Sequence, residues 1–454
     1  MNAPEARETI AALATPAGRG AIAIVRLSGG TALPIALEMS RERRPLRPRV
    51  AERRSFLARD ETLIDTGLAL FFPAPRSYTG EDVVELHVHG SPVIVREILL
   101  AALARGARLA LPGEFTRRAF ETGKLDLTAA EAVGELIAAE HRSAARGAAA
   151  RLAGGLAAEM ERHAGTLGAI AEELAAALDF PDEVEVPAAA VLAARLAGVD
   201  RALAELAGSW ERGRLVREGL SVAIVGPPNA GKSSLLNGLL GAERALVAAV
   251  PGTTRDTVEE TAVLEDGVVA RLIDTAGLRP SEDALERAGI ARSEAALRAA
   301  TVALVVVDGS QPLGDDAAQV LRRTRERPRL VYFNKTDLGT AGFDARPPQE
   351  RDALAGSAWQ PADVERVRAA LAHLAGTGPA DLARPHLGTV RQADAVLQAR
   401  HALAFALETL ARREPVDLIA GDLFSARAAL GELTGRDASE AVLDGIFARF
   451  CVGK

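Results

Sequence analysis

The pattern of apolar and polar positions divides this chain into four stretches with different periods. Over residues 1–123 short apolar runs alternate with polar breaks. GAIAIVRL (20–27), TGLALFF (66–72) and DVVELHV (82–88) have the length and β-branched content of strands. Helical spacing predicts helices near 91–105 and 114–123, with Pro and Gly clusters between elements. Residues 124–218 are rich in Ala, Leu, Glu and Arg at helical spacing, and PDEVEVP (181–187) is their main interruption. Strand–helix alternation returns over 219–377, which predicts a doubly wound α/β unit. Residues 378–454 are again mainly helical. The expected fold is therefore multidomain, α/β plus all-α. An N-terminal α/β domain (1–123) precedes a discontinuous helical domain (124–218 and 378–454), into which the second α/β unit (219–377) is inserted.

Composition narrows the class. A length of 454 residues suits two or three domains, and no apolar run approaches the roughly 20 residues that a membrane-spanning helix needs. The single cysteine, Cys451, excludes an intrachain disulfide and a cysteine-cluster metal site, and suggests a reducing, cytoplasmic setting. A net charge of −7 argues against coating nucleic acid and leaves room for a local basic site. The arginine-rich segment RERRPLRPRVAERR (41–54) could form a nucleic-acid patch, but on a chain this biased towards arginine the favoured reading is a solvated loop.

Lysine is scarce. Of 54 basic residues only Lys124, Lys232, Lys335 and Lys454 are lysines. Where any cation serves, arginine can replace lysine. Lysine should persist where a compact ammonium on a slim stem is required, so all four are candidate functional positions.

Two of them sit in motifs. Gly226-Pro-Pro-Asn-Ala-Gly-Lys-Ser233 follows an apolar strand, SVAIV (221–225), and opens a helix (233–240), as a phosphate-binding loop must. Its backbone N–H groups would cradle phosphate, Lys232 would reach the β- and γ-phosphates, and Ser233 would ligate Mg²⁺. After the strand VVARLI (268–273), Asp274-Thr-Ala-Gly277 offers a carboxylate for Mg²⁺ and a glycine N–H for the γ-phosphate. Gly252-Thr-Thr-Arg-Asp256 lies between the two and can supply a Mg²⁺ threonine. After RLVYF (329–333), Asn334-Lys-Thr-Asp337 carries a carboxylate suited to guanine N1–H and N2–H₂. Adenine would leave that carboxylate badly paired, so the motif points to GTP. Ser357-Ala358 is the candidate for a further guanine-contacting loop, although the preceding DALAG does not read as an apolar strand. Leu278 occupies the place where a water-orienting glutamine stands in Ras-type enzymes. Leucine cannot polarise water, so Glu282, Asp283 and Glu286 become candidates for that task.

ETIAALATPAGRGAIAIVRLSG (8–29), SYTGEDVVELHVHG (77–90), LPGEFTRRAFETGKLDLTAAEAVGELI (111–137) and the terminal Cys451-Val-Gly-Lys454 resemble the MnmE (TrmE) tRNA-modification GTPases along essentially the whole chain. The resemblance implies an N-terminal domain that dimerises and binds a tetrahydrofolate derivative resembling 5-formyl-tetrahydrofolate. It also implies an FAD-dependent partner, MnmG (GidA), and a tRNA substrate. The pair would place an aminomethyl or carboxymethylaminomethyl group on C5 of the wobble uridine at tRNA position 34.

By the same resemblance GTP contacts fall on Asn229, Ala230, Gly231, Lys232, Ser233 and Ser234, and on Ala248, Ala249, Val250, Pro251, Gly252, Thr253 and Thr254. They continue through Asp274, Thr275, Ala276 and Gly277, then Asn334, Lys335, Thr336 and Asp337, and end at Ser357 and Ala358. Mg²⁺ would take Ser233 and Thr254. K⁺ would take the Asn229 side chain and the carbonyls of Ala248, Val250 and Thr253. Glu286 would orient water, acting with Lys232 and Asp274. Folate contacts fall on Arg26, Glu85, Lys124 and Lys454. A carboxylate such as Glu85 suits the pterin donor–acceptor edge, and a cation such as Arg26 suits the glutamate tail. Lys124 and Lys454 can share one site only if the C-terminus returns to the N-terminal domain of its own chain or of a dimer partner. Cys451 is a candidate site residue, with packing as its plainer role. Glu121-Thr122 departs from the family pattern ahead of Gly123-Lys124. A ribosome-assembly GTPase that binds ribosomal RNA would share every GTP motif. It predicts a basic terminal RNA module, which this chain does not read as having. A non-catalytic GTP switch would suit Leu278 but not Asn229 and Glu286.

Overall fold

The computed structural model describes residues 7–139, 142–180, 182–241, 260–264, 269–274, 297–298, 300–374 and 386–454. It forms two compact units. The first comprises residues 1–134, 152–200 and 394–454, and the second comprises 135–151 and 201–393. The division runs through the helices Leu127–Ala138, Arg142–Leu152, Ala189–Glu218 and Val390–Ala411.

The first unit is built on a six-stranded sheet. Its strands are β1 (Ile10–Leu13), β2 (Ile22–Ser28), β3 (Glu52–Leu57), β4 (Leu63–Phe72), β5 (Val83–His89) and β6 (Arg108–Leu109), in the order β3-β4-β5-β2-β1-β6. All neighbours are antiparallel except β1 and β6. Strand alternation sorts the side chains. Ala23, Val25 and Leu27 of β2 join Val84, Leu86 and Val88 of β5 in the core, with Ile35 and Ile98 from helices Ala32–Glu38 and Pro92–Leu103. Arg26, Glu85 and His87 therefore lie on the opposite face.

β2, β4 and β5 cover the three expected strands, whereas β1, β3 and β6 carried no clear periodic signal. The reading of 41–54 as a solvated loop holds for residues 41–51, where Arg41, Arg43, Arg44, Arg47 and Arg49 are exposed, and β3 corrects it for residues 52–54. Glu52 and Arg54 are buried, with Arg54 Nη2 3.0 Å from the Arg44 carbonyl and 3.2 Å from Glu52 Oε2. Guanidinium so deep in the fold is tolerated only with partners of this kind.

Helices Gly155–Asp179 and Val416–Thr434 pack together in this unit, burying Met160, Leu167, Ile170, Leu423, Ala426 and Leu430. Helix Glu440–Phe447 lies on helix Glu114–Glu121, where Arg117 donates to Asp444 and Glu440 at 2.6 Å each. The chain end follows it down. Val452 bridges Pro112, and the Phe115 N–H donates to the Lys454 carbonyl at 3.1 Å. Gly453 has φ +97°, and a Cβ there would lie 2.0 Å from the Leu13 carbonyl oxygen. Only glycine allows so close an approach. The C-terminus thus returns to the N-terminal domain of its own chain.

The second unit holds another six-stranded sheet: β7 (Leu220–Val225), β8 (Glu260–Val263), β9 (Val269–Asp274), β10 (Val302–Asp308), β11 (Arg329–Asn334) and β12 (Leu354–Ala355). The order is β12-β11-β10-β7-β9-β8, parallel except for the edge strand β8. One core lies on each face, as expected for a doubly wound sheet. β12 corrects a reading. DALAG does form a strand, two residues long, paired to Tyr332 and Phe333. So short an element gives no periodicity to read.

An ion network anchors helix Glu114–Glu121 to the first sheet. Arg118, 4% exposed, donates to Glu114 and Glu81 at 2.9 Å each, and Arg108 donates to both Glu114 oxygens. Burial alone would raise the Glu114 carboxyl. Hydrogen bonds from Arg108, the Leu111 N–H and Arg118 outweigh it and hold the group at about 2. A lowered carboxyl stabilises the fold above its unfolded value, near 4.5, and that contribution is lost as pH falls towards about 2. Urea titrations of this protein between pH 6 and about 2 should show that loss, and Glu114→Gln should flatten it.

Candidate functional site

The second unit gathers three loops at the carboxyl ends of its central strands, where an open α/β sheet places its ligands. The first leaves β7. A Cβ at Gly226 would lie 2.0 Å from the Val306 carbonyl oxygen, and one at Gly231 would lie 2.1 Å from Asn334 Nδ2. Glycine at both positions lets the loop lie flat against its neighbours. Asn229 takes a left-handed conformation, φ +59°, which asparagine tolerates better than most residues. Helix Lys232–Leu240 starts at once, so its unpaired N–H groups open onto the loop. Lys232 Nζ arches over the loop, donating to the carbonyls of Gly226 (3.0 Å) and Pro227 (2.7 Å). Ser233 is exposed at the helix start.

The second loop leaves β11. Asn334 is 2% exposed and braces all three loops. Its Nδ2 donates to the Ala230 carbonyl at 2.9 Å, and its Oδ1 accepts from the Ala358 N–H at 2.8 Å. Lys335 Nζ donates to the Asn229 carbonyl (2.6 Å) and to Asp308 Oδ2 (2.7 Å). Burial pushes the Asp308 carboxyl up, but the Lys335 and Ser310 hydrogen bonds prevail and leave it lowered. Asp308 belongs to none of the sequence motifs. Its one signal is an acidic residue ending the apolar run VALVVVD.

The third loop follows β12. The Thr336 N–H donates to the Gly356 carbonyl at 3.1 Å, and the Ser357 N–H donates to Asp363 Oδ2 at 2.9 Å. Ser357 and Ala358 are buried, and Asp337 is exposed beside them. Asp274 ends β9 in register with Ile224 of β7, beside the phosphate loop.

The structure therefore brings together Asn229, Ala230, Gly231, Lys232, Ser233, Ser234, the Asn334–Asp337 loop, Ser357 and Ala358. The other expected residues lie outside the described ones. They are Ala248 to Thr254, Thr275, Ala276, Gly277, Leu278, Glu282, Asp283, Glu286 and the Asp274 side chain. The described part suits a nucleoside phosphate with Mg²⁺, because amide donors, an ammonium and a hydroxyl converge at one helix start.

A second cluster lies on the open face of the N-terminal sheet. Arg26 and Glu85 are register partners on β2 and β5. Arg26 Nε and Nη2 both donate to Glu85 Oε1, at 3.0 and 2.9 Å. The rings of Tyr78 and Phe115 flank the guanidinium, at 5.6 and 5.7 Å. Tyr78 OH shares a 2.9 Å hydrogen bond with Thr116 Oγ1, and burial raises its phenol. Glu85 Oε2 lies 3.4 Å from His87 Nε2.

Arg26 and Glu85 touch, so the two expected ligand contacts form one continuous patch on this face. Lys124 is exposed just past helix Glu114–Glu121, and Cys451 is exposed near the chain end. Among the described residues no ion pair joins Lys124 or Lys454 to Glu85. The Lys454 backbone is nevertheless held on Phe115, which flanks Arg26. An apolar groove of about 590 Å³ opens beside helix Pro92–Leu103, on the core side of the sheet, lined by Ile22, Val95, Leu99, Leu100 and Leu103.

Comparison with known proteins agrees along the whole chain. The family model "GTP-binding protein TrmE N-terminus" matches residues 9–124, and "MnmE helical domain" matches residues 127–451. A tRNA modification GTPase MnmE of Laribacter hongkongensis is 45% identical, with 98% of this chain and 99% of the relative covered. The proteins of that name from Symbiobacterium thermophilum and Moorella thermoacetica are 44% and 42% identical, at the same coverage.

Asn334→Ala would orphan the Ala358 N–H and the Ala230 carbonyl together, at about 1–3 kcal/mol for each buried group left unpaired. Calorimetry should show at least a tenfold loss of guanine-nucleotide affinity, with a lower melting temperature of the second unit.

Proposed function

This chain belongs to the MnmE family of tRNA modification GTPases, and we propose that its GTP hydrolysis is stimulated by K⁺ and gates a folate-dependent modification of tRNA. The observation that supports the guanine-nucleotide part of this reading is the Asn334 brace, which joins the phosphate loop to both guanine loops within one unit.

Each residue has a task in that reading. Lys232 leaves the Gly226 and Pro227 carbonyls and swings to the β- and γ-phosphates, a short reach for an ammonium that already arches over the loop. Ser233 and Thr254 hold Mg²⁺, with Asp274 directly or through water, and the Gly277 N–H senses the γ-phosphate. Asp337 selects guanine. The Asn229 side chain and the carbonyls of Ala248, Val250 and Thr253 hold K⁺, whose charge beside the phosphates stands where an arginine finger acts in other GTPases. Glu286 orients the attacking water, which Leu278 cannot do.

On the N-terminal face, Glu85 takes the pterin edge, with Arg26 fixing its carboxylate. Lys124 and Lys454 take the tail carboxylates, and Cys451 remains a candidate residue beside them. The ligand is a tetrahydrofolate of the 5-formyl type, the source of the one-carbon unit. With the FAD-dependent partner MnmG, the chain adds an aminomethyl or carboxymethylaminomethyl group to C5 of uridine 34. It works as a homodimer through the N-terminal domain, whose groove beside exposed Ile22 and Leu100 is apolar enough to want a cover. Among the described residues no helix is long and apolar enough to cross a membrane.

Two measurements test this. Steady-state GTP hydrolysis should be at least tenfold faster in KCl than in NaCl of equal ionic strength, and Glu286→Ala should bind GTP normally yet lose most turnover in either salt. Equal rates in the two salts would remove the cation. Deleting Lys454 should weaken binding of 5-formyl-tetrahydrofolate without affecting GTP binding, as read by calorimetry; unchanged folate affinity would refute that placement.

A further inference from the structure

We infer that Trp359 is a nucleotide-binding residue whose indole stacks on the guanine base. The inference rests on the guanine site proposed above and adds to it a contact that no motif assigns.

The argument starts from exposure. The chain has only two tryptophans, and the side chain of Trp359 is 80% exposed. Large aromatic rings are ordinarily covered because they carry the most apolar area of any side chain. The backbone beneath this one is firmly held. Ser357 and Ala358 are buried, the Ala358 N–H is bonded to Asn334 Oδ1, and the Trp359 N–H lies 3.4 Å from Ser357 Oγ. The Gln360 N–H donates to the Ser357 carbonyl at 3.0 Å, and helix Pro361–Leu374 begins directly after. Trp359 is thus an aromatic ring with little packing of its own, on a backbone with almost no freedom.

Its place in the fold names the occupant. The loop that ends at Ala358 runs beside the Asn334–Asp337 loop, joined by the Thr336 to Gly356 and the Ala358 to Asn334 hydrogen bonds. A guanine held by its edge at Asp337 and the Ala358 loop leaves its planar faces open. Trp359 is the next residue along, and exposed Leu338 follows Asp337 on the other loop. A flat, π-faced ligand covering the indole would bury apolar area and gain stacking. Because the backbone beneath the ring is already held, the ordering entropy lost on binding is confined to the side chain.

The contact is to the base, so it should favour GDP and GTP equally. Trp359→Ala should weaken both about tenfold, close to 1.4 kcal/mol, as measured by calorimetry on the full-length protein. Trp359→Phe should recover most of that loss. The melting temperature without nucleotide should stay within a degree of the parent, since the side chain is mostly in solvent. In a Trp210→Phe background the emission of Trp359 should be strongly quenched by GDP and unaffected by inorganic pyrophosphate, which carries no base. Unchanged GDP affinity in Trp359→Ala would overturn the stacking, as would emission indifferent to GDP. Failure of the parent protein to bind GDP at all would instead overturn the guanine site itself.

Discussion

The nucleotide end of this molecule depends on one carboxamide. Asn334 is almost wholly buried, and each end of its amide is bonded to a different loop. A buried hydrogen bond adds only about 0.5–1.5 kcal/mol, but a buried polar group left without a partner costs more. The constraint is therefore mainly on alternatives. If either loop moves, both the side chain and a backbone group lose their partners. Lys335 adds a second tie from the same strand end, reaching Asn229 and Asp308. Phosphate loop and base loops thus behave as one preformed surface.

The N-terminal face is organised on the same principle, with charge in place of an amide. Arg118 and Arg108 surround Glu114, and Arg118 also reaches Glu81, which accepts from Ser28. This network fixes helix Glu114–Glu121, and the helix presents Phe115 to Arg26 and Thr116 to Tyr78. Arg26 is held by two bonds and two aromatic rings, so its conformation is settled before any ligand arrives. A paired, half-buried guanidinium orients its carboxylate.

The lysines show how composition and structure divide the work. Scarcity marked four positions, and two of them now have atoms to contact. Lys232 lies on its loop carbonyls and Lys335 on Asp308, geometries that suit a point donor on a thin stem better than a planar fork. For Lys454 the structure supplies the location of the backbone, against Phe115, while the destination of its ammonium belongs to the proposal. The arginine run 41–54 is mostly exposed charge, as its composition suggests, with Arg54 as the exception, among the most buried side chains described.

Local sequence determined what depends on short range: the period of the main strands and helices, the helix break at 181–187, and the motifs whose spacing sets a backbone turn. Gly226, Gly231 and Asn229 are legible because their backbone conformations, or the closeness of a neighbouring strand, exclude other residues. The short strands β1, β6 and β12 were not legible, since two to four residues carry no period and form only where a neighbour offers a ladder. Tertiary structure alone decided which charges meet. It paired Arg26 with Glu85, 59 positions apart, and Lys335 with Asp308, and it brought Lys454 back to Phe115. Those contacts join residues remote in sequence, and their energies depend on burial and distance, which spacing along the chain does not encode.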